Sequence, residues 1–290
     1  MYAAPFEYHS PATVAEALAL LDRYQGEAKV IAGSQSLVPL MKLRLAQPLH
    51  VVDLRKLPGM VGVREVGGAL YIGAMTTHRA LQVDEVARAK LPVLSEAAAN
   101  IGDPQVRNLG TIGGSLAHAD PSADWPAVTL ALDASVQIAG SKGERVEKVS
   151  DFIVGPLTST LGPGELLVQV RVPLLAARGG AAYEKHPHPA SGFAIVGVAA
   201  VVTLDARGAV EAVRVAVNGL GPKAARATAL EQALAGKVLD AASIKAAAGK
   251  VTDGLELHAD LTGSAAYKAQ LAALTAERAL SRAAARAAGR

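Results

Sequence analysis

The sequence predicts an α+β protein, built as α/β lobes followed by a smaller C-terminal α+β region, and three observations carry that prediction. Over roughly the first 176 residues, short apolar runs alternate with stretches of helical period. From Leu174 to Gly180 the periodicity stops in a short, glycine-ended segment, the best place for a domain boundary. Beyond it the strand patterns come first and the helical patterns after. The chain therefore divides into 1–176, with lobes at about 1–57 and 58–176, and 177–290.

Each element has its local reason. Phe6-Glu7-Tyr8 reads as a short extended stretch, and Thr13 with Glu16 forms a capping box opening a helix with Val14, Leu18 and Leu21 on one face. Lys29-Val30-Ile31 reads as a buried strand stopped at Gly33. A helix from about Gln35 to Arg44 follows, broken or kinked near Pro39, and Val51-Val52-Asp53 returns as a strand. In the second lobe, Leu70-Tyr71-Ile72 and Val136-Gln137-Ile138 are strands. Ala80 to Ile101 is helical with an interruption at Pro92, and Trp125 to Leu132 is a helix after a long glycine-rich loop. Leu166 to Val172 alternates toward Pro173 and closes the lobe. The C-terminal region offers strands around Tyr183, Ile195 to Leu204 and Val213 to Val217, then helices from about Ala224, Ala241 and Ala265.

Composition excludes several functions. The formal charge of +3 is local: Arg278, Arg282, Arg286 and Arg290 recur every fourth residue, and without them the balance is 25 basic against 26 acidic residues. No global field points to nucleic acid, and the arginines read as a solvated stripe on the terminal helix, with docking on an acidic partner as the alternative. With no cysteine, disulfides, thiolate nucleophiles and cysteine-held iron–sulfur clusters are excluded from this chain. The longest apolar run, Phe193 to Leu204, is too short to span a bilayer, and no basic-then-apolar leader opens the sequence. The expected location is the cytoplasm, with no membrane span.

Two segments carry chemistry. Residues 31–37, IAGSQSL, and 108–127, NLGTIGGSLAHADPSADWPA, both bring small residues to a bend. Glycines let successive N–H groups converge on an anion and let a ligand approach with no Cβ in the way. The hydroxyls of Ser34, Ser36, Thr111 and Ser115 add donors, and a helix opened by Ser36 would strengthen the site. Neither segment has a lysine or arginine, so two such loops facing one another would hold a diphosphate without a side-chain cation. Carboxylates just beyond a phosphate cradle suit sugar hydroxyls. The plainer alternative makes Gly113-Gly114 a tight turn and Asp120 or Asp124 a helix cap.

Residues 31–48, IAGSQSLVPLMKLRLAQP, and 101–127, IGDPQVRNLGTIGGSLAHADPSADWPA, resemble in order and spacing the two FAD-binding signatures of the medium subunits of the molybdenum hydroxylases, the xanthine oxidase family. The likeness is greatest to the carbon monoxide dehydrogenase branch. It extends through Tyr183-Glu184-Lys185, Phe193-Ala194 and Val217-Asn218-Gly219-Leu220-Gly221-Pro222. The resemblance implies a two-lobed FAD-binding domain, with FAD extended between the lobes, and a small α+β C-terminal domain of antiparallel strands and helices. It implies pyrophosphate contacts from Ala32, Gly33, Ser34, Gln35, Ser36 and Leu37, and from Thr111, Ile112, Gly113, Gly114 and Ser115. His118 would touch the flavin chain and Asp124 a sugar or ribityl hydroxyl, with Ile101, Val168, Lys185 and Phe193 near the isoalloxazine. It also implies electron relay from [2Fe–2S] clusters of a small subunit, beside a large subunit with the molybdenum cofactor, in a dimer of heterotrimers, and no catalytic residue of its own. Two departures stand out. Ser34 replaces a common second glycine, and His186-Pro187-His188-Pro189-Ala190-Ser191-Gly192 replaces a more basic, acid-ended stretch.

Rival readings meet specific obstacles. Gly113-Gly114-Ser115-Leu116-Ala117 approaches a serine hydrolase elbow with Ser115 as nucleophile and His118 nearby, but Ala117 stands where glycine is needed and Asp120-Pro121 spoils the turn. Gly219-Leu220-Gly221-Pro222-Lys223-Ala224 has a dinucleotide-like outline without a βαβ unit and reads as a strand-to-helix turn. His118 with Asp120 and His186 with His188 lack a ligand spacing, so no metal site is expected. A non-redox assembly protein retaining the fold is a third class. Aromatic residues are few, which leaves Tyr183, Phe193 and Trp125 as candidates to stack on a ring.

Overall fold

The computed structural model describes residues 2–289; Arg290, the last arginine of the C-terminal stripe, lies outside the described residues. The first lobe runs β1 (Glu7–His9), α1 (Val14–Arg23), β2 (Ala28–Ile31), α2 (Leu37–Lys42) and β3 (His50–Asp53), and its three strands form a parallel sheet in the order β1-β3-β2. The capping box at its first helix is half present. Thr13 accepts from the Glu16 amide, while the Glu16 carboxylate reaches past Thr13 to the Ala12 amide at 2.8 Å. Pro39 does not break α2, because it lies in the first turn, where a missing N–H costs nothing. β2 is only half-buried rather than buried.

The second lobe contributes β4 (Val63–Val66), β5 (Ala69–Gly73), α3 (His78–Val83), α4 (Glu85–Lys90), α5 (Pro92–Ala99), α6 (Pro104–Leu109), α7 (Ile112–His118), α8 (Asp124–Ala131), β6 (Ser135–Gly140), β7 (Gly143–Lys148), α9 (Val149–Phe152), β8 (Ile153–Gly155), β9 (Thr158–Ser159) and β10 (Glu165–Pro173). Its main sheet is antiparallel, in the order β4-β5-β10-β6-β7. The helical stretch expected from Ala80 to Ile101 is three short helices: Asp84 ends α3 and caps α4, and Pro92 opens α5 at the position where proline is tolerated. The glycine-rich loop is not all loop either. Thr111 caps α7, which takes in Gly113 and Gly114.

The C-terminal region is β11 (Gly179–Pro187), β12 (Ala194–Leu204), β13 (Val210–Asn218), β14 (Ala225–Arg226), α10 (Thr228–Leu234), α11 (Ala241–Ala248) and α12 (Ala265–Ala287). Four antiparallel strands in sequential order precede three helices, so the expected α+β class holds. The helix expected from Ala224 starts at Thr228, because Ala225 and Arg226 first pair with β13 as a strand.

The sheet is buried on both faces. Ala181, Tyr183, Ala199, Val201 and Ala216 join the core that also unites the two lobes, while Ala182, Val198, Ala200, Val202 and Val217 pack with α10, α11 and α12. Alternation along each strand thus divides its residues between two cores. Part of the arginine stripe is paired rather than free. Arg282 and Arg286 both bind Glu96 of α5, at 3.0 and 2.5 Å, and Arg282 also pairs with Glu184 of β11.

Candidate functional site

The loop after β2 and the turn into α7 are packed against each other. A Cβ added to Gly33 would lie 2.3 Å from the Leu109 carbonyl oxygen and 2.6 Å from the Gly110 Cα, so only glycine permits this approach. A Cβ on Gly114 would meet Ala32 at 3.8 Å across the same junction. An isolated bridge between Thr77 and Thr111, and the 2.9 Å bond from the Gly113 amide to the Ala74 carbonyl, fix the turn to the end of β5. Gly113 is pressed on Ala74, with a Cβ distance of 2.5 Å, while Gly114 is half open.

The two segments use their amides differently. Among the described residues, the N–H groups of Gly33, Ser34, Gln35, Ser36 and Leu37 find no acceptor in the protein, and Ser36 makes no side-chain cap for α2. At the second segment the amides from Ile112 to Ser115 are engaged: Ile112 with the Thr76 carbonyl, Gly113 with Ala74, Gly114 with the Thr111 hydroxyl and Ser115 with the Thr111 carbonyl. The first loop therefore offers backbone donors, and the second offers hydroxyls and a Cβ-free surface. Ser34 holds φ at +66°, in the left-handed region that residues other than glycine disfavour. Its hydroxyl reaches the Ala32 carbonyl at 3.4 Å.

Helical spacing sets the exposed face of α7. Ile112, Gly113 and Leu116 are buried, while Gly114, Ser115 and His118 are half-buried on the other side, one to two turns beyond the Thr111 cap. Ser115 lies inside a helix preceded by α6 and a bridge, which is not a strand-to-helix elbow, and this removes the hydrolase reading. Val168 belongs to the same layer, since its carbonyl accepts from the Ala74 amide at 3.0 Å.

A second group forms where the C-terminal sheet meets the Asn100 to Gly102 loop. Lys185 Nζ donates to the Asn100 carbonyl at 2.9 Å, adjoining Ile101, and a Cβ on Gly192 would lie 3.2 Å from the Gly102 Cα. Phe193 follows directly and is 46% exposed. It is the one of the three candidate aromatics with a free face, because Trp125 and Tyr183 are sealed in the core at 0% and 1% exposure. Asp124, expected at a sugar hydroxyl, is anchored within the protein. Its carboxylate accepts from the Tyr183 hydroxyl at 2.5 Å and lies within 3.0 Å of Lys185 Nζ, with both side chains of that ion pair buried. Burial pushes the Asp124 carboxyl upward, opposed by the Lys185 charge and by the two hydrogen bonds; burial and the neighbouring carboxylate push the Tyr183 hydroxyl upward as well.

Sequence reading missed three supports. Arg107, one residue outside the stretch without cations, donates from one guanidinium nitrogen to the Ile101 and Gly102 carbonyls, while its buried Nε has no partner among the described residues. His78 accepts from Trp125 Nε1 at 3.0 Å and crowds Gly110; burial, with the Arg107 charge second, holds its imidazole down at about 4. Asn218 donates to the Ala123 carbonyl and braces the loop before Asp124. Arg107 had a signal, its place inside the second motif; the other two depend on long-range packing.

The comparisons with known proteins agree with this geometry. Residues 4–175 match the FAD binding domain in molybdopterin dehydrogenase, and residues 181–283 match the CO dehydrogenase flavoprotein C-terminal domain. The chain is 40% identical to the carbon monoxide dehydrogenase medium chain of Hydrogenophaga pseudoflava, over 97% of this chain and 98% of that one. It is 42% identical to the 6-hydroxypseudooxynicotine dehydrogenase complex subunit alpha of Paenarthrobacter nicotinovorans, over 96% and 94%. A solved carbon monoxide dehydrogenase from Hydrogenophaga pseudoflava, lacking the Mo-pyranopterin moiety of its cofactor, superposes with a TM-score of 0.95 at 42% identity, covering 99% of both chains. With both halves matched and the fold shared end to end, the chain belongs to the FAD-binding medium subunits of the molybdenum hydroxylase family, and it is similar to the medium chains of carbon monoxide dehydrogenases.

Proposed function

We propose that this chain works in the cytoplasm as the FAD-binding, electron-relaying subunit of a heteromeric molybdenum hydroxylase. Residues 1–176 hold the cofactor and 177–290 brace it. The observation that carries this reading is the junction at Gly33, where a loop of unpaired amides is pressed against the turn that exposes Gly114, Ser115 and His118. Both segments fit a diphosphate: the amides of Gly33 to Leu37 supply donors, and Gly114 leaves room where a side chain would stand. Thr111, Ile112 and Gly113 set the turn. His118 lines the chain linking phosphate to ring, and Ile101, Val168, Lys185 and Phe193 surround the ring end. Asp124 acts by fixing Lys185 and Tyr183.

Bound FAD would supply the exchange between two-electron and one-electron carriers that side chains cannot perform. The chain has no cysteine, so its electrons enter from another subunit. The proposed partners are a large subunit carrying the molybdenum cofactor and a small one carrying two [2Fe–2S] clusters, assembled as a dimer of heterotrimers. An external acceptor drains the flavin. The organic substrate is set by the large subunit.

The test is flavin retention. The purified chain is incubated with FAD, gel-filtered and scanned in the visible, then reduced with dithionite. One bound flavin per chain, bleached on reduction, is the expected result. A colourless protein, both alone and purified with its partners from native cells, would overturn the reading.

A further inference from the structure

The parallel register of the first sheet assembles a cluster that no sequence spacing announces. β1 pairs with β3 so that Glu7 lies beside His50 and His9 beside Val52. Because side chains alternate along a strand, Glu7, His9 and His50 project from one face. Their donor atoms converge: His9 Nε2 to His50 Nδ1 is 3.1 Å, His50 Nδ1 to Glu7 Oε2 is 3.4 Å, and His9 Nε2 to Glu7 Oε2 is 3.9 Å.

We propose that Glu7, His9 and His50 form a binding site for a divalent first-row transition metal such as Zn²⁺, which cross-links the N-terminal strand to β3. The triangle is the right size. The point equidistant from its three corners lies about 2.0 Å from each, which is the bond length of Zn²⁺ to imidazole nitrogen and carboxylate oxygen. The donor set is also right, since two imidazoles and one carboxylate suit the borderline metals and not Ca²⁺ or Mg²⁺. Both imidazoles are largely buried, with side chains 19% and 12% exposed, and their orientation is held by Tyr24, whose ring stacks on His50 at 3.6 Å and on His9 at 5.3 Å. Glu7 is 70% exposed, so the remaining coordination positions face water. The site's charge balance is simple: one carboxylate meets the cation, while the Arg23 guanidinium is engaged over the Tyr24 ring, 5.2 Å from its centroid.

In the absence of a metal, the same geometry would be only an imidazole-to-imidazole hydrogen bond with a carboxylate nearby, and the two readings differ in what they predict. The full chain is stripped with a chelator, then titrated with Zn²⁺ by calorimetry and with Co²⁺ by visible absorption. The expected result is one ion per chain, Co²⁺ bands of a low-coordinate site, and a higher Tm with Zn²⁺. His9→Ala and Glu7→Gln should each weaken Zn²⁺ binding at least tenfold while circular dichroism stays unchanged. Glu7→Gln is the safer variant, because its side chain is exposed and keeps its size. Failure of the wild-type chain to bind Zn²⁺ stoichiometrically, or equal affinity in wild type and both variants, would overturn the proposal.

Discussion

The loop after β2 and the turn into α7 have similar composition, glycine among hydroxyls, yet they solve opposite problems. The first leaves a run of amides unpaired and holds Ser34 at a left-handed φ; the second spends its Ile112 to Ser115 amides inside the protein and keeps hydroxyls and an open Gly114 surface. Similar residues therefore do not imply similar donors. What separates the two is the neighbour: Ala74 and Thr76 carbonyls lie beneath the second turn, while the Gly33 to Leu37 amides meet no acceptor among the described residues.

This contrast can be broken at Gly33, where the largest effect is expected. Gly33→Ala would drive a methyl into the Leu109 backbone, with no flexible side chain to yield. It should cost about 3 kcal/mol in denaturant unfolding and lose the flavin as well. Gly114→Val tests the other side. Its Cβ meets the Thr111 hydroxyl at 2.8 Å and little else, so stability should fall by only about 1 kcal/mol, the worth of the displaced cap. Flavin retention should nevertheless be abolished, and unaltered occupancy would remove the second segment from the site.

Ser34→Gly sharpens the comparison. Relief of the left-handed backbone gains about 1 kcal/mol, and the looser unfolded chain returns roughly half of it. A net gain of about 0.5 kcal/mol with full flavin content would show that the first loop works through amides and not through this hydroxyl. The smallest effect is a change of slope. His78 crowds Gly110 before the second turn and accepts from Trp125, and its imidazole sits at about 4 because it is buried. A depressed pKa contributes stability that is complete above the unfolded value of about 6.5 and is lost as pH falls through 4. His78→Asn keeps an acceptor for Trp125, and its Tm should depend less on pH across that window than the wild-type value does.

Much of the fold was legible because its punctuation is chemical. Proline at 92, the Thr13 cap and the alternation of Leu166 to Val172 each have a local physical meaning that survives in the structure. Where reading failed, a local rule met a longer-range one. Two adjacent glycines disguised α7 as a loop, although its Thr111 cap and buried Ile112 and Leu116 face carry the helix. Tyr183 and Trp125 looked available as aromatic platforms, but burial against the C-terminal sheet and His78 consumed them. Of the candidate site, the two loops were visible from their residue types. The Lys185 to Asp124 pair was not, because it joins positions 61 residues apart through a β-strand and a helix start.

The arginine stripe on α12 carries a consequence for the order in which the molecule comes together. Arg286 and Glu96 are 190 residues apart, so their ion pair closes the longest loop among the described side-chain contacts. A ribosome finishes the lobe that contains Glu96 long before α12 emerges, so Glu96 must wait without its arginine partners, and the outer face of the C-terminal sheet without its cover, until the last helix arrives. Docking of that helix is thus the final step of synthesis made structural: a chain cut short before Arg282 would keep both loops of the candidate site while leaving part of the outer face of the C-terminal sheet open to whatever else is sticky nearby.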